Sequence, residues 1–279
     1  MNESNVAGFF AYARERYQIL LNRRAGKPKP WTRDPILQSY RFCNVFREDD
    51  TVTEWFRESG ARTTTFSCML MRLTNRIDTA QILLNEDLFA HWDEKLARKS
   101  LADKKPLTNA AYIVHTPYGF NKLNGLIEML RPVWADQKAG RLDFKGYSLE
   151  GAHEQLMRYD CVGSFIAYEV VTDLNHTPVL GKAIDKMTWA AAGPGAARGL
   201  SRIIGGVPLD HFRYGRPAHQ THMLKLMEAL LLHSKRPKVW PAQWPTWDMR
   251  TVEHTLCEFD KYQRVREGGR AKQLFNGKG

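Results

Sequence analysis

Cys161-Val162-Gly163-Ser164-Phe165-Ile166-Ala167-Tyr168-Glu169-Val170-Val171 decides how this chain is read. It is a short turn with glycine at its tip, running into an apolar helix expected over 165–174. Such a turn exposes backbone N–H groups able to donate to an anion. The helical period continues outward from it in both directions. Phe9, Phe10, Ala13, Tyr17, Leu20 and Leu21 trace one apolar stripe, and Gly26, Pro28 and Pro30 stop it. Asp34-Pro35 reads as the N-cap and first position of a helix carried on through Tyr40, Phe42 and Phe46. Thr51-Val52-Thr53-Glu54 has the form of a capping box, with Gly60 as C-cap. Further helices are expected over 67–76, 79–85, 120–130, 149–159, 222–233 and 251–264. Alternating strand patterns are rare and no internal repeat is present. The sequence predicts an all-α fold. It reads as one domain over residues 1–279, built of helical lobes around a cleft, with a basic flexible tail from about 264.

Composition narrows the function classes. The 279 residues include 41 Lys and Arg against 30 Asp and Glu, a net charge of +11, and 43% are apolar. That apolar fraction excludes a disordered chain. No apolar run approaches the roughly 18 residues of a membrane span. Met1-Asn2-Glu3-Ser4 has no basic leader character, so no membrane partner is expected and the location is expected to be cytoplasmic. Cys43, Cys68, Cys161 and Cys257 form no C-x-x-C and read as small buried hydrophobes. His219 and His222 form an H-x-x-H without a flanking acid or cysteine, so neither a metal nor a cofactor is expected. The positive charge is uneven. Arg23, Arg24, Lys27, Lys29 and Arg33 form an acid-free run, while Arg264, Arg266, Arg270, Lys272 and Lys278 meet one acid, Glu267. Polyanions are the natural partner for such a surface. The plain alternative is a protein kept soluble by its charge.

No G-x-x-x-x-G-K-[ST] and no Rossmann fingerprint occur, so the chain is not a self-contained kinase of the P-loop type. The 161–167 turn resembles the hairpin of helix-hairpin-helix DNA glycosylases, a G-h-G-x-x-x-A pattern. Gly163 stands at the second glycine, Ala167 at the alanine, and Cys161 replaces the first glycine. Gly163 and Ser164 would then hold a DNA phosphate; a helix-packing glycine is the other reading. Bifunctional members carry a lysine where this chain has Phe165, which excludes Schiff-base lyase chemistry there. The catalytic aspartate of that class falls at the spacing of Asp185, 22 residues after Gly163. A buried carboxylate can stabilise oxocarbenium charge and orient a water. Alternatively, Asp185 pairs at the surface with Lys182 or Lys186. Asp173 is a second candidate, or a cap on its own helix.

Three more stretches carry polar chemistry. Gly193-Pro194-Gly195-Ala196-Ala197-Arg198-Gly199-Leu200-Ser201-Arg202 offers glycines for close approach and two arginines for phosphate, or simply a capped turn between helices. On the helix expected after Pro35, Tyr40, Asn44 and Arg47 share a face beside Arg41. With Trp31 they would stack on an extruded base and bond its edge. A core helix with a polar face has the same pattern. In Glu253-His254-Thr255-Leu256-Cys257-Glu258-Phe259-Asp260-Lys261-Tyr262, the residues Leu256 and Phe259 continue a buried stripe from Val252. Glu258 and Lys261 lie off it, as a tuned acid–base couple or a surface salt bridge.

Together PWTRDPI (30–36), YRFCNVFR (40–47), GSFIAYEVVTDL (163–174), GPGAARGL (193–200) and LCEFDKYQR (256–264) resemble one family. It is the helical domain of phage DNA base-hypermodification proteins, named for alpha-glutamyl/putrescinyl thymine pyrophosphorylases. Members occur beside or fused to a 5-hydroxymethyluracil DNA kinase (5-hmdU DNA kinase, helical domain). Others transfer amino acids to activated thymines. Standalone members resemble anti-phage DNA glycosylases acting on glucosylated hydroxymethylcytosine. The resemblance implies a monofunctional glycosylase that flips a hypermodified base out of double-stranded DNA and leaves an abasic site. On it Asp185 is catalytic, with Glu258, Lys261 or Asp173 as support or as the true catalytic group. Trp31, Tyr40, Arg41, Asn44 and Arg47 line the base pocket. Gly163, Ser164, Gly193, Gly195, Arg198, Arg202, Arg264, Arg270 and Lys272 hold DNA. Two rivals stand beside it: a transferase placing an amine or amino acid on pyrophosphorylated 5-hydroxymethyluracil, and a non-catalytic DNA-binding partner of a DNA kinase.

Overall fold

The computed structural model describes residues 1–110, 112–271, 274 and 275. Among these the regular structure is helical throughout. The helices are α1 (Glu3–Arg24), α2 (Pro35–Ser39), α3 (Thr51–Glu58), α4 (Thr65–Thr74), α5 (Ile77–Asn85), α6 (Glu94–Leu101), α7 (Lys122–Lys138), α8 (Leu149–Leu156), α9 (Ser164–Leu174), α10 (Pro194–Ile204), α11 (Pro217–Ser234) and α12 (Met249–Arg266). No strand occurs among the described residues; an isolated antiparallel bridge joins Tyr40 and Leu274. No described helix is long and apolar enough to cross a membrane.

The chain divides into two compact units. The first comprises Met1–Arg47 with the chain from Lys186 onward, and the second is Glu48–Asp185. In the first unit the expected stripe on α1 is buried except at Leu21, which is half-exposed, with Phe9 edge-on to Phe259 at 5.6 Å and Tyr17 edge-on to Phe46 at 5.3 Å. Val252, Leu256 and Phe259 of α12 are buried opposite it. Burying each such side chain contributes about 1.5–3 kcal/mol.

α10 lies unusually close to α12. A Cβ on Gly199 would stand 2.4 Å from the Leu256 carbonyl oxygen, and one on Gly195 would stand 2.2 Å from Cys257 Sγ. The Gly-rich stretch that suggested a turn or an anion cradle is therefore a helix. Its missing side chains let two backbones meet.

In the second unit every residue of α4 is buried, and α9 packs against it with Ile166–Leu174 also buried. The cap of α3 is Asp50, one residue before the expected Thr51, and its carboxylate accepts from the Thr53 amide at 3.0 Å. Gly60 follows the helix with φ +75°, as the C-terminal signal implied.

One expected helix is cut short. α2 ends at Ser39, and residues 40–44 are not helical. Their backbone groups are taken by side chains from elsewhere in the first unit. Arg16 Nη2 donates to the Phe42 carbonyl at 3.1 Å, Lys261 Nζ to the Arg41 carbonyl at 2.6 Å, and the Cys43 amide donates to Glu258 Oε2 at 2.8 Å. Those bonds replace the helical ladder. Tyr40, Asn44 and Arg47 consequently share no helix face.

Candidate functional site

A cavity of about 360 Å³ opens in the first unit between α1, α2 and the loop that joins them. Its walls carry four cationic side chains, Arg16, Arg23, Lys29 and Arg41, and four rings, Trp31, Tyr40, Phe42 and Phe275. No acid and no histidine lines it among the described residues. α1 supplies Arg16, Ile19, Leu20 and Arg23 from one face, spaced as successive turns require. Trp31 is fixed by its indole N–H, which donates to the Lys27 carbonyl at 2.7 Å. The Trp31 carbonyl accepts from Asn22 at 3.0 Å. Asp34 caps α2 by accepting from the Ile36 and Leu37 amides, which sets the floor at Leu37 and Gln38. Lys29 Nζ stands 4.9 Å from the Trp31 ring centre and 5.4 Å from that of Phe275. Phe275 is held there by its amide, which donates to the Ser39 carbonyl at 3.0 Å. Phe275 thus closes one side of the pocket.

Behind the wall formed by residues 40–43 lies the Glu258–Lys261 pair, 3.2 Å apart. Glu258 is buried, not at the surface. Burial opposes its charge, but Lys261, His254 and the Cys43 amide more than offset that and hold its carboxyl below the ordinary carboxylate range. It is therefore ionised at neutral pH and acts as an anchor for the Cys43 amide. Lys261 Nζ also stands 4.6 Å from the Phe42 ring centre. Burial lowers the Arg16 pKa, yet a guanidinium stays cationic at neutral pH. The pair and Arg16 fix the pocket wall from behind.

The other sequence candidates do not gather at this pocket. Of the expected base-binding set, Trp31, Tyr40 and Arg41 line it. The Asn44 side-chain oxygen instead accepts from Arg16 at 2.6 Å, and Arg47 is buried outside the lining. Asp185 belongs to the second unit, where its two oxygens accept from the Leu149 and Glu150 amides at 2.7 and 3.0 Å. With Ser148 it caps α8. Asp185→Ala is expected to cost about 1–2 kcal/mol, because two first-turn amides lose their acceptor. Urea unfolding measures this, and a change within a few tenths would show that the cap carries no weight. Asp173 is buried and paired with Arg72.

Gly163 caps the start of α9 with open space beside its Cα, and Ser164 bonds His153 through its hydroxyl at 3.1 Å. Gly193 caps α10, and its amide donates to Glu253 at 3.3 Å. Arg198 and Arg202 each donate from Nε to buried Asp260 at 2.8 Å, so their inner edges serve α12. Arg264 and Arg270 are exposed, and Lys272 lies outside the described residues.

Sequence reading missed Arg16 and Phe275, and it placed Arg23 and Lys29 only in a basic run. The two arginines seven apart on α1, flanking Ile19 and Leu20, were a legible sign of a charged rim over an apolar floor. Nothing local signals Phe275.

Comparison with known proteins agrees with the helical architecture. The family described as 5-hmdU DNA kinase, helical domain, matches residues 3–270. The 5-hmdU DNA kinase of Bacillus phage SP10 is 26% identical over 271 residues, covering 85% of this chain and 41% of that relative. The chain thus spans about two-fifths of the length of the curated relative it matches. No solved structure matches. These matches overturn the expectation of a hydrolytic DNA glycosylase, since the family and the relative are both described by a DNA kinase, a transferase. Base excision falls with it, as do the roles of Asp185, Asp173, Glu258 and Lys261 in that reaction. The chain belongs to the family of 5-hmdU DNA kinase helical domains.

Proposed function

We propose that this chain is a DNA-binding module of a thymine-hypermodification system, holding a 5-substituted pyrimidine swung out of double-stranded DNA. The acid-free pocket of the first unit carries the reading. Its rings suit stacking on an extruded base, and its cations suit a phosphate on the 5-methylene group. The volume of about 360 Å³ falls within the range of small-ligand sites. No P-loop is present to cradle a nucleoside triphosphate, so the reading assigns this chain the base and not the phosphoryl donor. The net charge of +11 supports a polyanionic partner. The turn before α9 is a proposed phosphate contact of helix-hairpin-helix kind, supported by the open space at Gly163. On this reading the chain works in the cytoplasm, on DNA.

Duplexes bearing one thymine, one 5-hydroxymethyluracil or its phosphate ester test it by fluorescence anisotropy. The phosphorylated duplex is expected to bind about tenfold or more tighter than the thymine duplex, from charge-assisted bonds. Arg41→Glu with Lys29→Glu should erase that preference. Equal affinity for all three duplexes would end the proposal. A second reading places amine-for-pyrophosphate transfer in the same pocket, because its cations would stabilise the departing pyrophosphate. Pyrophosphorylated DNA incubated with amino acids or putrescine, with nucleosides read by mass spectrometry, decides between them. New amino-substituted thymine means transfer; unchanged pyrophosphate means binding alone.

A further inference from the structure

The second unit carries a surface that the reading above does not use. The loop between α6 and α7 folds round the start of α7, where Lys122 Nζ donates to the Val114 carbonyl at 2.6 Å. Thr116 sits against Gly125, so closely that a Cβ there would meet the Thr116 Cβ at 2.4 Å. Held in this way, the loop buries Leu107 and Val114 and turns three other large side chains outward. Ile113, Tyr118 and Phe120 are 72%, 103% and 47% exposed. Large apolar side chains left in water carry a free-energy cost that a partner would relieve.

A cleft of about 680 Å³ adjoins the same end of α7. Arg98, Lys104, Lys105 and Lys122 stand on its walls with Asn121 and Asn124, and no acid does among the described residues. Arg98 and Lys104 also reach acids beyond its walls, Glu128 at 3.5 Å and Asp78 at 2.5 Å. Lys105 is exposed at the cleft, and Phe120 directly precedes Asn121 of its wall. Cations in a groove beside exposed flat rings complement one polymer, a polyanion whose own flat groups are free to stack. In duplex DNA the base faces are already covered. In a single strand they are open.

We propose that this face of the second unit binds a single-stranded stretch of DNA. Its phosphates lie along the Lys105–Lys122 cleft and its unpaired bases stack on Tyr118 and Phe120. The site is separate from the first-unit pocket and needs no modified base.

Labelled dT12, which carries no 5-phosphate substituent on any base, reads this surface with the full chain. Binding is followed by anisotropy at 50 and 200 mM salt, with a blunt duplex of equal length beside it. Tyr118→Ala with Phe120→Ala should weaken dT12 binding about tenfold or more, since each lost stacking partner has a large effect. Lys105→Glu should weaken it and flatten the salt dependence. Circular dichroism confirms that each variant is folded, and these exposed positions leave the core untouched. Wild-type dT12 affinity in the double aromatic variant overturns the proposal. So does duplex binding that is as tight as dT12 binding and equally weakened, because stacking would then play no part. Displacement of dT12 by poly-glutamate as readily as by unlabelled dT12 overturns it as well, by showing a surface that reads charge alone.

Discussion

Asp173→Ala is expected to remove about 3–5 kcal/mol of stability from the second unit, the usual cost of stranding one member of a buried ion pair. Asp173, on α9, is buried and grips Arg72 of α4 through both oxygens: Arg72 Nε donates to one and Nη2 to the other, the latter at 3.0 Å. Arg72 is 1% exposed. Thr53 donates to Asp173 at 3.2 Å, and Arg72 Nη1 donates to Asn75 at 3.0 Å. Remove the carboxylate, and the guanidinium keeps Thr53, Asn75 and a longer contact of 3.5 Å with Asp50. None of these matches a bidentate charge. Asp173→Leu combined with Arg72→Met should recover most of the loss, because neither member of the pair is then left as an uncompensated charge. Urea denaturation followed by circular dichroism measures both variants. A loss under about 1 kcal/mol for Asp173→Ala would show that the pair behaves as a surface bridge.

The second large effect belongs to the first unit. Gly199→Val should destabilise by about 3 kcal/mol, at the upper end of overpacking costs. Its Cβ would meet the Leu256 carbonyl oxygen at 2.4 Å and the carbonyl carbon at 2.9 Å, both backbone atoms of α12. Alanine at the same site would gain about 1 kcal/mol in helix propensity, which does not offset a backbone collision. α12 cannot step back cheaply, because Asp260 on it holds both Arg198 and Arg202 of α10. At Gly195 the nearest obstacle is a side chain, Cys257 Sγ, so Cys257→Ala should partly rescue Gly195→Ala and give Gly199→Val nothing. Thermal melting distinguishes the two. An unchanged melting temperature for Gly199→Val would mean that the helices separate freely.

The fold was legible where one segment's own pattern settles its structure. The α1 stripe, the Asp34-Pro35 start and the buried face of α12 needed only local spacing. Reading failed where distant groups decide. Residues 40–44 have helical periodicity, yet Arg16 and Glu258 lie 26 and 215 residues from the groups they capture. The stretch after Gly193 looked like a ligand cradle because glycine marks close approach without saying to what. In this chain it is α12. The candidate site was half visible for the same reason. Trp31, Tyr40 and Arg41 stand in two neighbouring motifs, whereas Phe275 joins them only through the fold.

The second unit is one uninterrupted run, 48–185, set inside the sequence of the first. A ribosome therefore finishes it while α1 still lacks α10 and α12, the helices α1 packs against. At about 5–20 residues per second, roughly 4–16 s pass between Asp185 and the end of α12. During that interval the nascent chain holds a complete second unit and an open first one. Phe9, Phe10 and Leu20 are its sticky face, the surface that a chaperone would shield until translation catches up.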